Sequence, residues 1–286
     1  MHRSIDEHFA EYRRDGYTIF KGYMPADQVR RVRRTVDPEF HRLHAEHPER
    51  IRATIANLLS QEGLVHLFKD HLFDPALLDF AEHVMGPFVQ LDSYEITGYP
   101  SRPLEERQKV DRWHRDAFSY SEVWERHGSS CHREDRVYTA PTACNCITYL
   151  QDMNEATGHL RVLADSHLDY TSISDEEAGK PQAGEQLVEL EAGDMVYTHN
   201  EILHAGSLNT SGEIRYFISA YFQRFGLPHR DSFRHPLINA LKDEARAQND
   251  RRVLRLLGED DHWEERERAA WAQMIAEDRA ARNASR

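Results

Sequence analysis

A series of short apolar segments, separated by turn-forming residues, occupies the middle of the chain and constrains the fold more than any other feature. Gly, Asn, Asp and Ser lie between the segments, as is typical of β-strands that are joined by turns. Several short strands at this spacing favour an all-β sandwich or barrel. We predict strands at residues 89–96, 144–150, 160–163, 186–190, 194–198 and 214–222.

Helices are predicted before this β region. Apolar residues recur at steps of three and four in the first part of the chain, which is the spacing of one helix face. Asp15-Gly16 is a turn signal between the first helix and a short strand. The helices and the strand are predicted at residues 4–13, 17–20, 25–43 and 75–84.

The tail returns to a helical pattern after about residue 236. Trp263, Ala270, Trp271 and Met274 lie on one face of a heavily charged segment. We favour packing of this face on the barrel, and the alternative is a homo-oligomer that forms through the C-terminal helices. We expect a single domain with a mostly helical support, a β core and C-terminal helices at residues 1–88, 89–225 and 236–286.

Charge and hydrophobicity exclude two classes of partner. The chain has 286 residues with 36 Lys and Arg against 49 Asp and Glu, which gives a formal net charge of −13. Because polyanions repel an acidic protein, nucleic acid is not expected as a partner. No apolar run approaches the roughly 20 residues that span a bilayer, and the polar amino terminus shows no secretory signal. We therefore expect a cytoplasmic protein without a membrane segment.

Four polar residues carry the strongest chemical signal. A strand directs residues i and i+2 to the same side, so the imidazole of His114 and the carboxylate of Asp116 can reach one point. His204 follows far downstream, and Arg215 comes eleven residues later. Two imidazoles and one carboxylate form the facial triad of non-haem Fe(II) oxygenases, which leaves positions open for a co-substrate and O₂. A neighbouring Arg offers a planar fork to the distal carboxylate of 2-oxoglutarate.

Other histidines offer competing interpretations. The chain has 18 His, so an isolated His-x-Asp pair is weak evidence and only the ordered set is specific. His199 competes with His204 as the distal ligand, but the residues after His204 and its spacing to Arg215 favour His204. Ser166 and His167 could be mistaken for a catalytic pair, but we interpret them as part of a turn that supports the barrel.

Four stretches of the chain match, in order, the motifs of one enzyme family. They are the His-Arg-Asp segment at 113–116, the segment ending in Thr-Gly-His-Leu at 150–160, Ala-Asp-Ser-His at 164–167, and Gly-Asp to Arg at 193–215. Over roughly residues 5–225 the sequence resembles the phytanoyl-CoA dioxygenase family of Fe(II)/2-oxoglutarate oxygenases. It departs from the family where Ala164-Asp165 replaces Pro-Gly, where Thr157 replaces Asn, and where Ile147 stands at a position often held by Trp.

The resemblance implies both a fold and a set of site residues. The fold is mainly β with flanking helices and a double-stranded β-helix core, which is a jelly roll of the cupin type. His114, Asp116 and His204 would bind Fe(II), and Arg215 would bind 2-oxoglutarate. We also expect Tyr94 and Thr148, on two of the predicted strands, to contact the co-substrate.

The resemblance also implies a reaction. O₂ and 2-oxoglutarate are converted to succinate and CO₂ while an unactivated C–H bond of a small molecule is hydroxylated, and we expect a substrate from secondary metabolism. Desaturation, epoxidation, cyclisation and epimerisation use the same triad and stay open, as does a barrel that binds a ligand without turnover. Asp116 argues against a halogenase, which would have Ala or Gly at this position.

Overall fold

The structure is a computed structural model that describes residues 3–107, 109–116, 136–168, 172–224, 230–231, 233–259, 268 and 271–277. The helices in this part of the chain are α1 (Ile5–Asp15), α2 (Ala26–Glu46), α3 (Val65–Leu72), α4 (Pro75–Met85), α5 (Pro236–Ala247) and α6 (Arg251–Leu256). The strands are β1 (Tyr17–Phe20), β2 (Ala53–Ile55), β3 (Val89–Tyr99), β4 (Ala143–Tyr149), β5 (Leu160–Val162), β6 (Gln186–Val188), β7 (Met195–His199), β8 (His204–Gly206) and β9 (Arg215–Arg224).

The described strands form two antiparallel sheets. The larger sheet has the order β1-β7-β4-β9-β3-β2, and the smaller sheet has the order β6-β5-β8. From β6 to β9 the chain alternates between the two sheets, as it does in a jelly roll. The predicted fold, mainly β with flanking helices, is confirmed, and this strand order is consistent with the predicted jelly-roll core.

Local signals at the start of the chain place β1 at the edge of the larger sheet. Ser4 and Glu7 form a capping box at the N-terminus of α1. Gly16 ends this helix in the left-handed region (φ 82°), and a Cβ added there would lie 2.6 Å from the ring of His167, so glycine is required. The chain can then turn sharply, and β1 pairs with β7.

One apolar core joins the larger sheet to the helices. Fully buried side chains such as Phe40 of α2, Phe80 of α4 and Phe222 of β9 belong to it. Ile238 of α5 and Leu254 of α6 are buried in the same cluster, so the C-terminal helices pack on the β core that precedes them.

The last described helical residues, 271–277, differ from the expectation. Trp271 and Met274 are each 57% exposed, so the predicted packing of this face on the barrel is wrong at these two positions. Trp263 and Ala270 lie outside the described residues. Self-association through this region stays a prediction. Within the described part of the chain, none of the helices combines the length and the hydrophobicity that a bilayer span requires.

Candidate active site

A cavity of about 280 Å³ lies between the two sheets. Side chains alternate along each strand, so β3, β4 and β9 present one set of residues to the helical core and the other set to this cavity. The smaller sheet closes the opposite side through β5 and β8. The lining includes Arg52, Glu95, Tyr99, Asp111, His114, Asp116, Asn145, His204, Arg215, Tyr221 and Arg230.

His114, Asp116 and His204 converge at one wall of the cavity, as the sequence predicts. The backbones of His114 and His204 form an antiparallel bridge with two N–H···O hydrogen bonds of 3.0 Å each, which brings the distant segments together. Nε2 of His114 lies 3.6 Å from Oδ1 of Asp116, and Nε2 of His204 lies 3.7 Å from Oδ2. One ligand atom from each residue lies within 4.8 Å of the other two.

The second nitrogen of each imidazole is held by the backbone. Nδ1 of His114 donates to the carbonyl of Arg112 at 2.7 Å, and Nδ1 of His204 donates to the carbonyl of Ile202 at 3.2 Å. A carbonyl can only accept, so each Nδ1 carries the proton and each Nε2 presents its lone pair. Metal-binding histidines in proteins are oriented in this way.

Asp116 is oriented by two residues of the larger sheet. Nδ2 of Asn145 donates to Oδ2 of Asp116 at 3.0 Å, and the hydroxyl of Tyr221 donates to the backbone carbonyl of Asp116. Burial raises the pKa of Asp116, but the nearby imidazoles and the bond from Asn145 outweigh it and hold this pKa below its usual value. Burial also lowers the pKa of His204, so its ring is neutral at neutral pH and able to bind a metal.

These three residues fit a ferrous ion. Two neutral imidazoles and one carboxylate are the donor set of the facial triad. Donors about 2.1 Å from an ion and at right angles lie about 3 Å apart, so the separations of 3.6 and 3.7 Å need only a small adjustment of the side chains. All three residues line the cavity, so a metal at this point would face it.

Arg215 is buried at the first position of β9 and lines the same cavity. Its Nη1 donates to the carbonyls of Thr157, Gly158 and Ser207 at 2.7 to 3.2 Å, and its guanidinium carbon lies 4.5 Å from the centroid of the Tyr99 ring. Nε is buried and has no hydrogen-bond partner among the described residues. A fixed cation with an unused donor fits a carboxylate, which is what 2-oxoglutarate would offer.

The structure corrects the prediction for Tyr94 and Thr148. Both side chains are fully buried on the core face of the larger sheet, and neither lines the cavity. His71 lies between them, with Nδ1 2.7 Å from the hydroxyl of Tyr94 and Nε2 3.0 Å from that of Thr148. These residues therefore belong to a buried hydrogen-bond network below the sheet, which cannot contact a co-substrate in the cavity.

The structural interpretation of Ser166 and His167 agrees with their contacts. Oγ of Ser166 accepts the N–H of Leu203 at 2.9 Å, which fixes the residue that precedes the ligand His204. Nε2 of His167 lies 3.1 Å from the carbonyl of Arg13. Asp165 adopts the left-handed conformation (φ 61°), so it can form the turn for which the family uses glycine.

His199, and three nearby residues that the sequence offers as possible substrate contacts, Arg112, Arg161 and Trp113, are not among the described residues of the cavity. His199 lies on β7 with Nε2 3.1 Å from the carbonyl of Thr139, and it is not part of the ligand cluster. Arg112 is exposed and pairs with Asp175, Arg161 is buried and pairs with Glu185, and neither is among the described residues that line the cavity. Trp113 is buried, and the aromatic residues that follow it in the sequence and could equally line the pocket or belong to the core, Phe118, Tyr120 and Trp124, lie outside the described residues.

Sequence reasoning missed Asn145, Tyr99 and Tyr221, which support the ligands and Arg215. Strand alternation offered a signal for Asn145, because it lies two residues before Ile147, the position compared with the family's Trp. Nothing in the spacing of Tyr99 or Tyr221 separates them from core tyrosines.

Comparison with known proteins agrees with this geometry. Residues 12–217 match the family described as phytanoyl-CoA dioxygenase (PhyH). The chain is 26% identical over 251 residues to the dioxygenase FrzG of Cladobotryum sp, covering 80% of this chain and 77% of FrzG. It is 24% identical over 225 residues to the dioxygenase hkm4 of Aspergillus hancockii, covering 73% of this chain and 67% of hkm4.

Solved structures share the fold. The epimerase SnoN, in complex with Fe³⁺, alpha ketoglutarate and nogalamycin RO, matches with a TM-score of 0.53 and 20% identity over 77% of this chain and 83% of SnoN. HygX from Streptomyces hygroscopicus, with nickel, 2-oxoglutarate and hygromycin B bound, matches with a TM-score of 0.59 and 12% identity over 78% of this chain and 88% of HygX.

The fold, the donor set and these matches define a non-haem iron enzyme that depends on 2-oxoglutarate. The chain belongs to the phytanoyl-CoA dioxygenase family.

Proposed function

We propose that this dioxygenase hydroxylates an unactivated C–H bond of a small molecule. His114, Asp116 and His204 bind the iron, and Arg215 binds the distal carboxylate of 2-oxoglutarate. The observation that carries the proposal is the convergence of three ligand atoms within 4.8 Å in the cavity that is also lined by Arg215, whose Nε has no hydrogen-bond partner in the part of the chain that the structure describes.

The residues of the chain prepare this site before any ligand binds. Backbone carbonyls hold both imidazoles with Nε2 facing the metal position, and Asn145 fixes the carboxylate of Asp116. Three carbonyls hold Arg215, so little side-chain entropy is lost when it receives a carboxylate. When bound, iron and 2-oxoglutarate supply the oxidising chemistry, in which O₂ is consumed and succinate and CO₂ are formed.

Two structural relatives support a small-molecule substrate. SnoN is described in complex with nogalamycin RO and HygX with hygromycin B bound, and both ligands are small molecules. A cavity of about 280 Å³ lies close to the lower end of the range of ligand pockets, which is about 300 Å³. We infer that the substrate places only one part of its structure beside the iron.

Anaerobic spectroscopy tests the assignment of the site. Fe(II) and 2-oxoglutarate are added without O₂, and a weak visible charge-transfer band is expected in the wild-type protein. His114→Ala removes a ligand and should abolish the band, whereas Glu105→Gln changes an exposed carboxylate outside the cavity and should retain it. A wild-type protein without the band, or a His114→Ala protein with an unchanged band, contradicts the proposal.

Epimerisation is the second candidate reaction, because the matched structure SnoN is an epimerase. The two outcomes differ in the mass of the product. Hydroxylation adds one oxygen atom, whereas epimerisation leaves the mass unchanged. Mass spectrometry of the product, once a substrate is found through succinate formation, separates these reactions and also detects desaturation through the loss of two hydrogens.

A further inference from the structure

Among the described residues that line the cavity, one charged side chain has no hydrogen-bond or ion-pair partner. Five charged residues of this described lining lie outside the ligand cluster, and four of them form such contacts. Arg52 donates to the hydroxyl of Tyr99, which in turn donates to Asp111 at 3.2 Å. Arg230 pairs with Asp92, and Arg215 is held by backbone carbonyls. Among the residues that the structure describes, no hydrogen bond or ion pair reaches the carboxylate of the fifth, Glu95.

Glu95 is placed by the register of the larger sheet. It lies on β3 opposite Ser219 of β9, which is itself opposite Ile147 of β4. Two residues along the strands in one direction lies Asn145, which donates a hydrogen bond to Asp116. Four residues along β9 in the opposite direction lies Arg215. Glu95 therefore lines the same cavity as the metal ligands and the co-substrate site without belonging to either.

An unpaired carboxylate in this position is unfavourable. Burial raises the pKa of Glu95, against the guanidinium groups of Arg230 and Arg52, which lower it without contacting it. Glu95 is half-buried, and an acceptor that is partly shielded from water and has no donor carries a desolvation penalty that a ligand can remove by donating a hydrogen bond. A site of this kind also rejects ligands that lack the donor, because they leave the acceptor unsatisfied.

We propose that Glu95 binds the substrate through a hydroxyl or amine donor, so that the substrate is a polyhydroxylated or amino-bearing molecule. Ser93 and Thr97 lie two residues away along β3 and face the same cavity, which adds further polar groups to this wall. The hydroxyl of Thr97 is already 3.0 Å from that of Thr54, so a long hydrocarbon chain placed here would leave the carboxylate of Glu95 and the hydroxyl of Ser93 without a donor or acceptor from the ligand. This inference rests on the proposed function of the site.

Three variants test the inference: Glu95→Ala, Glu95→Gln and the matched control Glu105→Gln. Each protein is first loaded with Fe(II) and 2-oxoglutarate without O₂. The charge-transfer band is expected in all of them, because Glu95 contacts neither the metal ligands nor Arg215. Absence of the band in the wild type contradicts the proposed function itself. Loss of the band in the Glu95 variants alone overturns the inference, since Glu95 would then act on co-substrate binding.

Succinate formation in air is then measured with two sets of probes. The polar set contains glucosamine, 2-deoxystreptamine and hygromycin B, and the hydrocarbon set contains dodecanoate, palmitoyl-CoA and phytanoyl-CoA. We expect the polar set to stimulate succinate formation, with a loss of about tenfold or more in Glu95→Ala, a smaller loss in Glu95→Gln and none in Glu105→Gln. Stimulation by the hydrocarbon set alone, equal stimulation in Glu95→Ala, or no response to any polar probe overturns the inference.

Discussion

Asn145→Ala should weaken iron binding without affecting the 2-oxoglutarate clamp. The side chain of Asn145 links Asp116 to Ser219 by hydrogen bonds: Nδ2 donates to Oδ2 of Asp116 at 3.0 Å, and Oδ1 accepts from the hydroxyl of Ser219 at 2.6 Å. Its loss leaves Oδ2 of Asp116 without this donor and lets the carboxylate rotate. Arg215 makes no contact with Asn145 and should be unaffected.

The expected size of the effect follows from the type of hydrogen bond. A bond to an ionised carboxylate contributes about 1.5–3 kcal/mol, which corresponds to a change in Kd of roughly 10- to 150-fold. Loss of a residue that orients a metal ligand weakens metal binding by about 10- to 100-fold, which agrees with that range. Ser219→Ala is the matched control, because it removes only the neutral bond to Asn145 and should weaken metal binding by less than about tenfold.

Calorimetric titration with Mn(II), a redox-stable substitute for Fe(II), measures this effect in the absence of O₂. Asn145→Ala should show a Kd raised by at least about tenfold, while its affinity for 2-oxoglutarate at saturating metal matches that of the wild type. A Kd within about twofold of the wild type, or an equal loss in both variants, would refute the role assigned to the amide.

Four further outcomes are expected. Arg215→Lys loses the planar fork, so the KM for 2-oxoglutarate should rise about tenfold or more in a succinate assay, with a smaller effect on kcat. Gly158→Ala should weaken 2-oxoglutarate binding in the same assay, because the added Cβ would lie 2.5 Å from the carbonyl of Ser207 and 2.7 Å from Nη1 of Arg215. Tyr94→Phe should leave this KM unchanged and lower the free energy of unfolding by about 1–2 kcal/mol in urea titrations. Burial lowers the pKa of His71 from 6.5 to about 3. The unfolded chain therefore binds a proton that the folded chain does not, and stability should fall as the pH drops from 6.5 towards 3, by at most about 1.4 kcal/mol per pH unit, a slope that His71→Asn should reduce in urea titrations.

The register of β3 explains why Tyr94 was misplaced from the sequence. The pairing of β3 with β9 shifts between Leu91 and Ser93, which is a β-bulge at Asp92. An extra residue exchanges the two faces of a strand, so Tyr94 lies on the core side with Leu91. The carboxylate and carbonyl of Asp92 accept hydrogen bonds from Arg230, a partner far away in the chain that local patterning cannot reveal.

Unlike Tyr94, Thr148 could have been assigned to the correct face of its strand from the sequence alone. Cys144 and Cys146 alternate in an apolar run, and both are buried in the core. Thr148 is two residues beyond Cys146 and shares their face, whereas Ile147 faces the cavity. The alternation that buries the cysteines thus excludes Thr148 from the site.

The identity of the three ligands could be predicted, because each lies in a short motif that is recognisable in the sequence by itself. His114 and Asp116 are two residues apart, and the ordered spacing from His204 to Arg215 is rare by chance. The pairing that joins the two motifs was not predictable, because β8 has only three residues and shows no measurable period. β2, also three residues long, was missed as well, although β5 and β6, of the same length, were predicted within longer apolar segments.

The most direct test of the account is the position of the metal in crystals prepared without O₂ with Fe(II) and 2-oxoglutarate. Anomalous diffraction at the iron edge locates the ion independently of the protein coordinates. We expect a single ion bound by Nε2 of His114, Nε2 of His204 and a carboxylate oxygen of Asp116, with the distal carboxylate of 2-oxoglutarate on the guanidinium of Arg215. An ion bound elsewhere, or at this point without one of the three residues, would contradict the account.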